Sequence, residues 1–402
     1  MPGWHHATKA LQEDGSIQMV GIIQEQHPDR ARLFMQWKEM GWPILVDSYD
    51  LLEVPYVPIS LAIDEAGVIR KVLPAMRENG SVGDDFMVET FGASTPDGAT
   101  SPPAARPDVG ALYARARADG SPGAWKAYGD AIAVWGGAGR MDQAIEAYER
   151  VVEGEPDDGM AHFRLGVAFR KRYDSEGRRE GDFQRAVDAW SSALDADPNQ
   201  YIWRRRIQQY GPRLDKPYPF YDWVVTARQE LQARGEEPAE LIVEPRGSEF
   251  ASPQREFVAG VGSATEPDPM GRVLRDDDEF IDAEAVAVPA RVAPGDVTRL
   301  HFSFRPIART KAHWNNEAEP MLLWLDPPEG WEVETRMYSQ PLPPELVSLE
   351  TRVIEAEVRA PEELGRGPVT IPGYALYYVC EDVNGVCMYR RQDVHAVVYP
   401  ER

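Results

Sequence analysis

The chain has only two cysteines, Cys380 and Cys387, and both fall in one aromatic-rich segment, Tyr377-Tyr378-Val379-Cys380-Glu381-Asp382-Val383-Asn384-Gly385-Val386-Cys387-Met388-Tyr389. Asn384-Gly385 between β-prone arms is a strong hairpin signal, because both residues tolerate the positive φ that a type I′ turn demands. The spacing therefore predicts that the cysteines occupy opposite arms of one ribbon. With a two-residue loop at Asn384-Gly385, Cys380 lies diagonal to Cys387 on the same face. With a four-residue loop from Asp382 to Gly385, the two stand directly opposite. Either register brings the Cα atoms within or near the roughly 4.4–6.8 Å that a disulfide spans. The closed loop is short, so a bridge there stabilises modestly, and near a hairpin tip it is suited to reversible exchange. The same spacing is compatible with a static structural disulfide or with two unlinked thiols.

A length of 402 residues implies two or three domains. With 43% hydrophobic and 27% charged residues, each can bury a core. The 66 acidic against 43 basic residues leave a net charge of −23, the wrong sign for a nucleic-acid-binding surface. No apolar run approaches the roughly 18 residues of a membrane span, and Met1-Pro2-Gly3-Trp4-His5-His6 has neither the basic start nor the apolar stretch of a signal peptide. Neither a span nor an export signal is expected in the chain as written.

Residues 1–91 alternate strand and helix patterns. Ile17 to Ile23 is an apolar run of strand length, and Pro28 to Met40 is helical, with Leu33, Phe34 and Trp37 on one side. Strands follow at Pro43–Val46, Ile59–Ile63 and Val68–Leu73, the last two joined by Asp64-Glu65-Ala66-Gly67 as a hairpin. This is an α/β pattern with an antiparallel edge. The order of elements, with Val57-Pro58-Ile59-Ser60 before Leu61-Ala62-Ile63-Asp64 and a turn at Gly67, resembles the second half of the thioredoxin-like fold, in its TlpA/redoxin branch. In that family a cis-proline opens the strand beside the active-site disulfide, and Pro58 is the matching position, implying a part in substrate binding. Read from the residues alone, Pro58 marks a strand start or edge. Family members begin with a strand leading into Trp-Cys-x-x-Cys, whereas this chain starts inside the following helix, at Trp4 to Leu11. An incomplete domain without its first strand and both active-site cysteines is expected, with the neighbours of that interior strand left unpaired. A reading frame that starts upstream, or a fragment, accounts for this.

Residues 92–110 are rich in Pro, Gly, Ser and Ala without periodicity and read as a linker. Residues 111–235 are helical and repeat. Trp135 and Phe169 are 34 positions apart, while Ala144, Tyr148 and Pro156 recur 42 positions later as Ala186, Trp190 and Pro198. The period of 34 is that of tetratricopeptide repeats, and the extra eight residues fit the polar run from Tyr173 to Gly181. Small residues such as Gly139, Ala144, Gly166 and Ala186 let helices approach, Tyr148, Phe169 and Trp190 fill the layers, and Asp222 to Ala233 caps the stack. Such a module docks a protein partner or serves as a spacer.

Residues 237–402 change to short β-rich runs at Val297–Phe304, Pro320–Leu325, Val347–Val358, Tyr374–Cys380 and Val394–Tyr399, the pattern of an antiparallel sandwich. Val292 to Phe304, turning at Pro294-Gly295-Asp296, suits an immunoglobulin-like strand pair. Together with the late Tyr-x-x-Cys…Gly-x-Cys-x-Tyr hairpin, this region resembles the N-terminal periplasmic domain of the DsbD family, which exchanges electrons with thioredoxin-like partners through two hairpin cysteines. The resemblance implies that Cys380 and Cys387 are catalytic, flanked by Tyr378 and Tyr389, with a thioredoxin-like or other dithiol protein as partner and an extracytoplasmic location. Six residues separate the cysteines here where the family commonly has five.

The overall expectation is a multidomain chain: an incomplete α/β thioredoxin-like domain, all-α tetratricopeptide-like repeats and an all-β immunoglobulin-like sandwich. Its expected activity is thiol-disulfide exchange without a cofactor. The alternative is a non-enzymatic interaction scaffold with a structural disulfide. Lys311-Ala312-His313-Trp314-Asn315-Asn316-Glu317 concentrates His313 and Trp314 in one loop, from which they could contact substrate or lower a thiol pKa, or simply pack. Glu25-Gln26-His27 follows the first strand, at the edge where α/β sheets place ligands. Cys380, Cys387, Met388 and His395 are the soft donors a metal would need, but no Cys-x-x-Cys or His-x-x-x-His spacing accompanies them, and no metal site is assigned. No nucleotide-binding glycine loop or hydrolytic triad stands out.

Overall fold

The computed structural model describes residues 2–65, 67–73, 105–213, 221–245, 249, 264–382 and 385–401. Most of the expected linker at 92–110 lies outside them. The chain is a mixed helix and sheet protein of two compact units: Met1–Gly177 with Ser192–Arg206 and Phe220–Pro245, and Arg178–Ser191 with Ile207–Pro219 and Arg246–Arg402.

In the first unit, α1 (Pro2–Glu13) precedes β1 (Gly21–Ile23), α2 (Asp29–Trp37) and β2 (Ile44–Val46), and β3 (Ser60–Ile63) and β4 (Ile69–Leu73) follow. β1 pairs in parallel with β2, and β3 pairs antiparallel with β4. Among the described residues, neither ribbon is bonded to the other. Ile22, Leu45, Leu61, Ile63 and Val72 are all exposed, so these short strands bury little of the apolar surface their composition offers. β1 is shorter than the apolar run Ile17–Ile23, because only three residues find a partner in β2.

Three helices of this unit start at side-chain caps. Asp108 accepts from Ala111 N to start α3 (Val109–Asp119), and Gly120 ends it at φ 69°. Ser121 caps α4 (Pro122–Trp135), which has proline in its first turn. Asp158 caps α6 (Gly159–Tyr173), which follows α5 (Met141–Gly154). α3 packs on α4, α4 on α5 and α5 on α6. Close approach is visible at Gly129, where a Cβ would lie 2.9 Å from the Tyr148 ring. α7 (Asp182–Ala196), whose residues up to Ser191 belong to the second unit, follows in sequence, so the polar run 174–181 falls between helices, and Pro156 and Pro198 lie just past α5 and α7. Ala144, Tyr148, Ala186 and Trp190 are fully buried, whereas Trp135 is 45% exposed with Arg106 over its ring. α8 (Tyr201–Gln208) and α9 (Trp223–Ala233) complete the helices.

Residues 281–400 of the second unit form a β-sandwich. β5 (Ile281–Val288), β7 (Val297–Pro306), β10 (Glu332–Val333) and β13 (Arg352–Arg359) form one sheet, in the order β10-β13-β7-β5. The other sheet holds β6 (Arg291–Val292), β8 (Ala312–Asn315), β9 (Leu322–Leu325), β11 (Met337–Ser339), β12 (Val347–Ser348), β14 (Val369–Glu381) and β15 (Cys387–Pro400). It runs β11-β9-β14-β15-β6, with β8 on β14 and β12 on β8. Leu300, Phe302 and Phe304 of β7 and Ile371, Ala375, Tyr377 and Val379 of β14 share one buried core.

Val292 and Phe304 do not belong to one strand pair, contrary to the sequence expectation. β6 joins β15 while β7 joins β5 and β13, so the turn at Pro294-Gly295-Asp296 carries the chain from one sheet to the other. The outer face of the first sheet is polar yet buried. His301 lies between Glu355 Oε1 at 3.1 Å and the Tyr210 carbonyl at 2.7 Å, and Glu284 accepts from Arg178 and from Gly181 N.

Candidate functional site

Among the described residues β14 and β15 form the longest ladder, twelve residue pairs ending at Cys380 opposite Cys387. Its length follows from composition: Tyr374 to Cys380 and Val394 to Tyr399 are rich in aromatic and β-branched residues, and Tyr377 and Val379 are fully buried. Glu381 N donates to Val386 O and Gly385 N to Asp382 O, so the loop is the four-residue one from Asp382 to Gly385. Val383 and Asn384, part of the expected type I′ turn, lie outside the described residues. Gly385 cannot be replaced without rearrangement, since a Cβ there would run into Glu381 O.

Cys380 and Cys387 form a disulfide, with Cα atoms 4.0 Å apart. That separation is close to the roughly 4.5 Å of a directly opposed, non-hydrogen-bonded antiparallel pair. The two cysteines differ in environment. Cys380 is only 4% exposed, whereas Cys387 and the neighbouring Val386 are exposed. On its other side Cys380 is paired with His313 of β8. His313, Cys380 and Cys387 thus form one row across three adjacent strands. Because side chains alternate, Tyr378 and Tyr389 lie on the same face one row further in, directly opposite each other with ring centroids 4.5 Å apart. Burial and the neighbouring Tyr378, Glu319 and Asp268 push the Tyr389 hydroxyl pKa up.

Trp314 is on the other face. It is fully buried in the sandwich core, edge-on to Tyr377, with its indole N–H donating to Glu350 O and Arg352 over its ring at 4.3 Å. Its place beside His313 in sequence therefore puts it through the sheet from the disulfide. Pro58 belongs to the first unit, exposed just ahead of β3, and its peptide bond with Val57 is cis. The donors of the metal alternative are dispersed: Met388 packs on the core, and His395 pairs with Pro372, eight residues along β15 from Cys387. No cluster of three or more His, Cys, Asp or Glu that could hold a metal occurs among the described residues.

At the disulfide end of this face Cys387 is exposed. Towards the middle of the sheet, Trp324, Tyr374 and Leu376 are buried beneath Ala264 and Val273. Tyr374 is fixed there by contacts of its hydroxyl with Asp268 N and Glu266, and by Arg391 3.7 Å from its ring centre. At the hairpin end, Lys311 brackets the loop: its ammonium donates to Asp382 at 2.9 Å, which raises the Lys311 pKa, and its carbonyl accepts from Asp382 N. This bracket carries no sequence signal, since Lys311 and Asp382 are 71 positions apart.

The edge after β1 is filled by arginines rather than open to a ligand. Arg206 donates to Gln26 Oε1 at 2.5 Å and to the carbonyls of Gln24 and Ser48, while Arg164 reaches the carbonyls of Tyr49 and Asp50 and pairs with Asp130. His27 is 3% exposed. Burial holds its pKa well below the usual range, aided by Arg170, Arg30, Arg206 and Lys171. Asp174 at 3.7 Å is too distant for a hydrogen bond and does not outweigh those cations.

No protein-family model matches the chain, and no curated protein matches it. No described helix is long and apolar enough to cross a membrane.

Proposed function

We propose that the chain performs thiol-disulfide exchange through Cys380 and Cys387 outside the cytoplasm, with a thioredoxin-like or other dithiol protein as partner. In this reading the β-sandwich is an immunoglobulin-like module of the DsbD N-terminal type. The repeating helices are a tetratricopeptide-like docking module, and residues 1–91 are a thioredoxin-like domain without its own cysteine pair. The observation that carries the reading is the disulfide itself, set at the end of a long ribbon with one exposed and one buried cysteine.

The exposed Cys387 is the sulfur open to attack. A partner thiolate attacks Cys387 Sγ, the bond to Cys380 breaks, and its electron pair leaves on Cys380 Sγ. The second partner thiol then attacks the mixed disulfide, releasing a protein dithiol and an oxidised partner; electron flow in the other direction reverses these steps. A Cys380→Ser variant should accumulate a mixed disulfide with a thioredoxin-like protein through Cys387, and Cys387→Ser should accumulate much less. Equal absence of adducts from both variants would remove the exchange reading and leave a scaffold with a structural disulfide.

A further inference from the structure

His313 is the ionisable side chain that the sheet places directly beside the buried cysteine. β8 pairs with β14 in a register that sets His313 opposite Cys380 and Trp314 opposite Val379. Alternation sends Trp314 into the core and leaves His313 half-buried on the disulfide's face. Opposed residues of such a pair have Cβ atoms roughly 4.5–5.5 Å apart, within reach of an imidazole. Attack at Cys387 leaves the displaced electron pair on Cys380, a 4% exposed position where an unpartnered thiolate is costly.

The other charged groups around this row are placed differently. The Lys311 ammonium is engaged by Asp382 at the tip, and Glu381, next to Cys380 on β14, is exposed and would repel a thiolate. β12, on the far side of β8, presents Val347 and Ser348, neither of them ionisable near neutrality. Tyr378 and Tyr389 share the face one row away, with Glu319 acting on Tyr389.

We propose that His313 is a positioning and proton-donating residue for disulfide exchange, receiving the charge that leaves on Cys380. This rests on the exchange reading only for its biological use; the chemistry holds for any attacking thiol. As the Cys380–Cys387 bond breaks, the imidazolium gives its proton to Cys380 Sγ, and solvent returns a proton to the imidazole. In the reverse direction the neutral imidazole takes the Cys380 thiol proton, generating the thiolate that attacks a mixed disulfide at Cys387.

The test is reduction of the full-length oxidised protein by dithiothreitol from pH 5 to 8, with rate constants corrected for the dithiothreitol thiolate fraction. In the wild type the corrected constant should fall about tenfold between pH 5 and pH 8. His313→Gln should give a flat profile at the lower value, and His313→Lys a profile flat and high. A wild-type profile that is already flat overturns the proposal, whether or not the variants fold. So does a His313→Gln profile parallel to that of the wild type. Because the probe is a small dithiol, failure here leaves the mixed-disulfide experiment unaffected, and failure of that experiment leaves this one standing.

Discussion

Reducing the Cys380–Cys387 bond removes a cross-link between residues only seven positions apart. On the chain-entropy relation, closing a loop of that size is worth about 2.4 kcal/mol at 25 °C. Against this stand the twelve residue pairs of the β14–β15 ladder and the fully buried Tyr377 and Val379 beneath its end. Burial of each such side chain stabilises by roughly 1.5–3 kcal/mol. The ribbon therefore survives reduction, as the proposed exchange requires. Native-state hydrogen exchange of β14 and β15 amides, comparing the oxidised protein with protein reduced by a phosphine, measures the difference directly. We expect protection free energies to drop by no more than about 2.4 kcal/mol, with the outermost pairs most affected. Collapse of protection along the whole ladder, or a loss above about 4 kcal/mol, would make the bond a structural staple.

Three further outcomes follow from particular residues. His27 is held neutral by burial and four surrounding cations, so its folded pKa is depressed. The unfolded chain then binds more protons below about pH 6.5, and stability of the first unit should fall as pH drops through that value; urea midpoints from pH 7.5 to 5 should show the fall, and His27→Gln should lessen it. Burial pushes the Asp158 carboxyl up, but Lys126 and Ala161 N hold it below its ordinary range, so its contribution is present above about pH 4 and is lost as pH falls through its folded value. Asp158→Ala removes the α6 cap and should cost about 1–2 kcal/mol by urea unfolding at pH 7, whereas Asp158→Asn, which keeps the acceptor, should cost less. Trp314→Ala, which empties a fully buried core position, should destabilise the sandwich by about 3–5 kcal/mol in the same assay.

The ribbon was legible in sequence because its signals are local: alternating aromatic and β-branched arms, and Gly385 where the loop closes on Glu381. Which loop length forms was left open, since Asn384-Gly385 suits two residues while pairing out to Glu381 and Val386 selects four. The opposition of His313 and Cys380 spans 67 positions and arises only from β8–β14 pairing, which no short-range pattern announces. One cue was present: in Ala312-His313-Trp314-Asn315 the alternation already separates an apolar face from a polar one, and Trp314 follows Ala312 inward. The chain's passage between sheets at Pro294-Gly295-Asp296 was missed for a related reason. A turn between two β-prone runs looks alike whether the runs pair with each other or join separate sheets.

The proposed exchange requires a Cys380–Cys387 bond that a partner dithiol can reduce. The most direct measurement is its reduction potential, obtained by equilibrating the full-length protein in dithiol redox buffers and counting alkylated thiols. A potential above about −300 mV, within reach of a thioredoxin-like partner, is expected. A value well below about −300 mV would contradict the exchange, since a bond that stable belongs to the architecture of the sandwich.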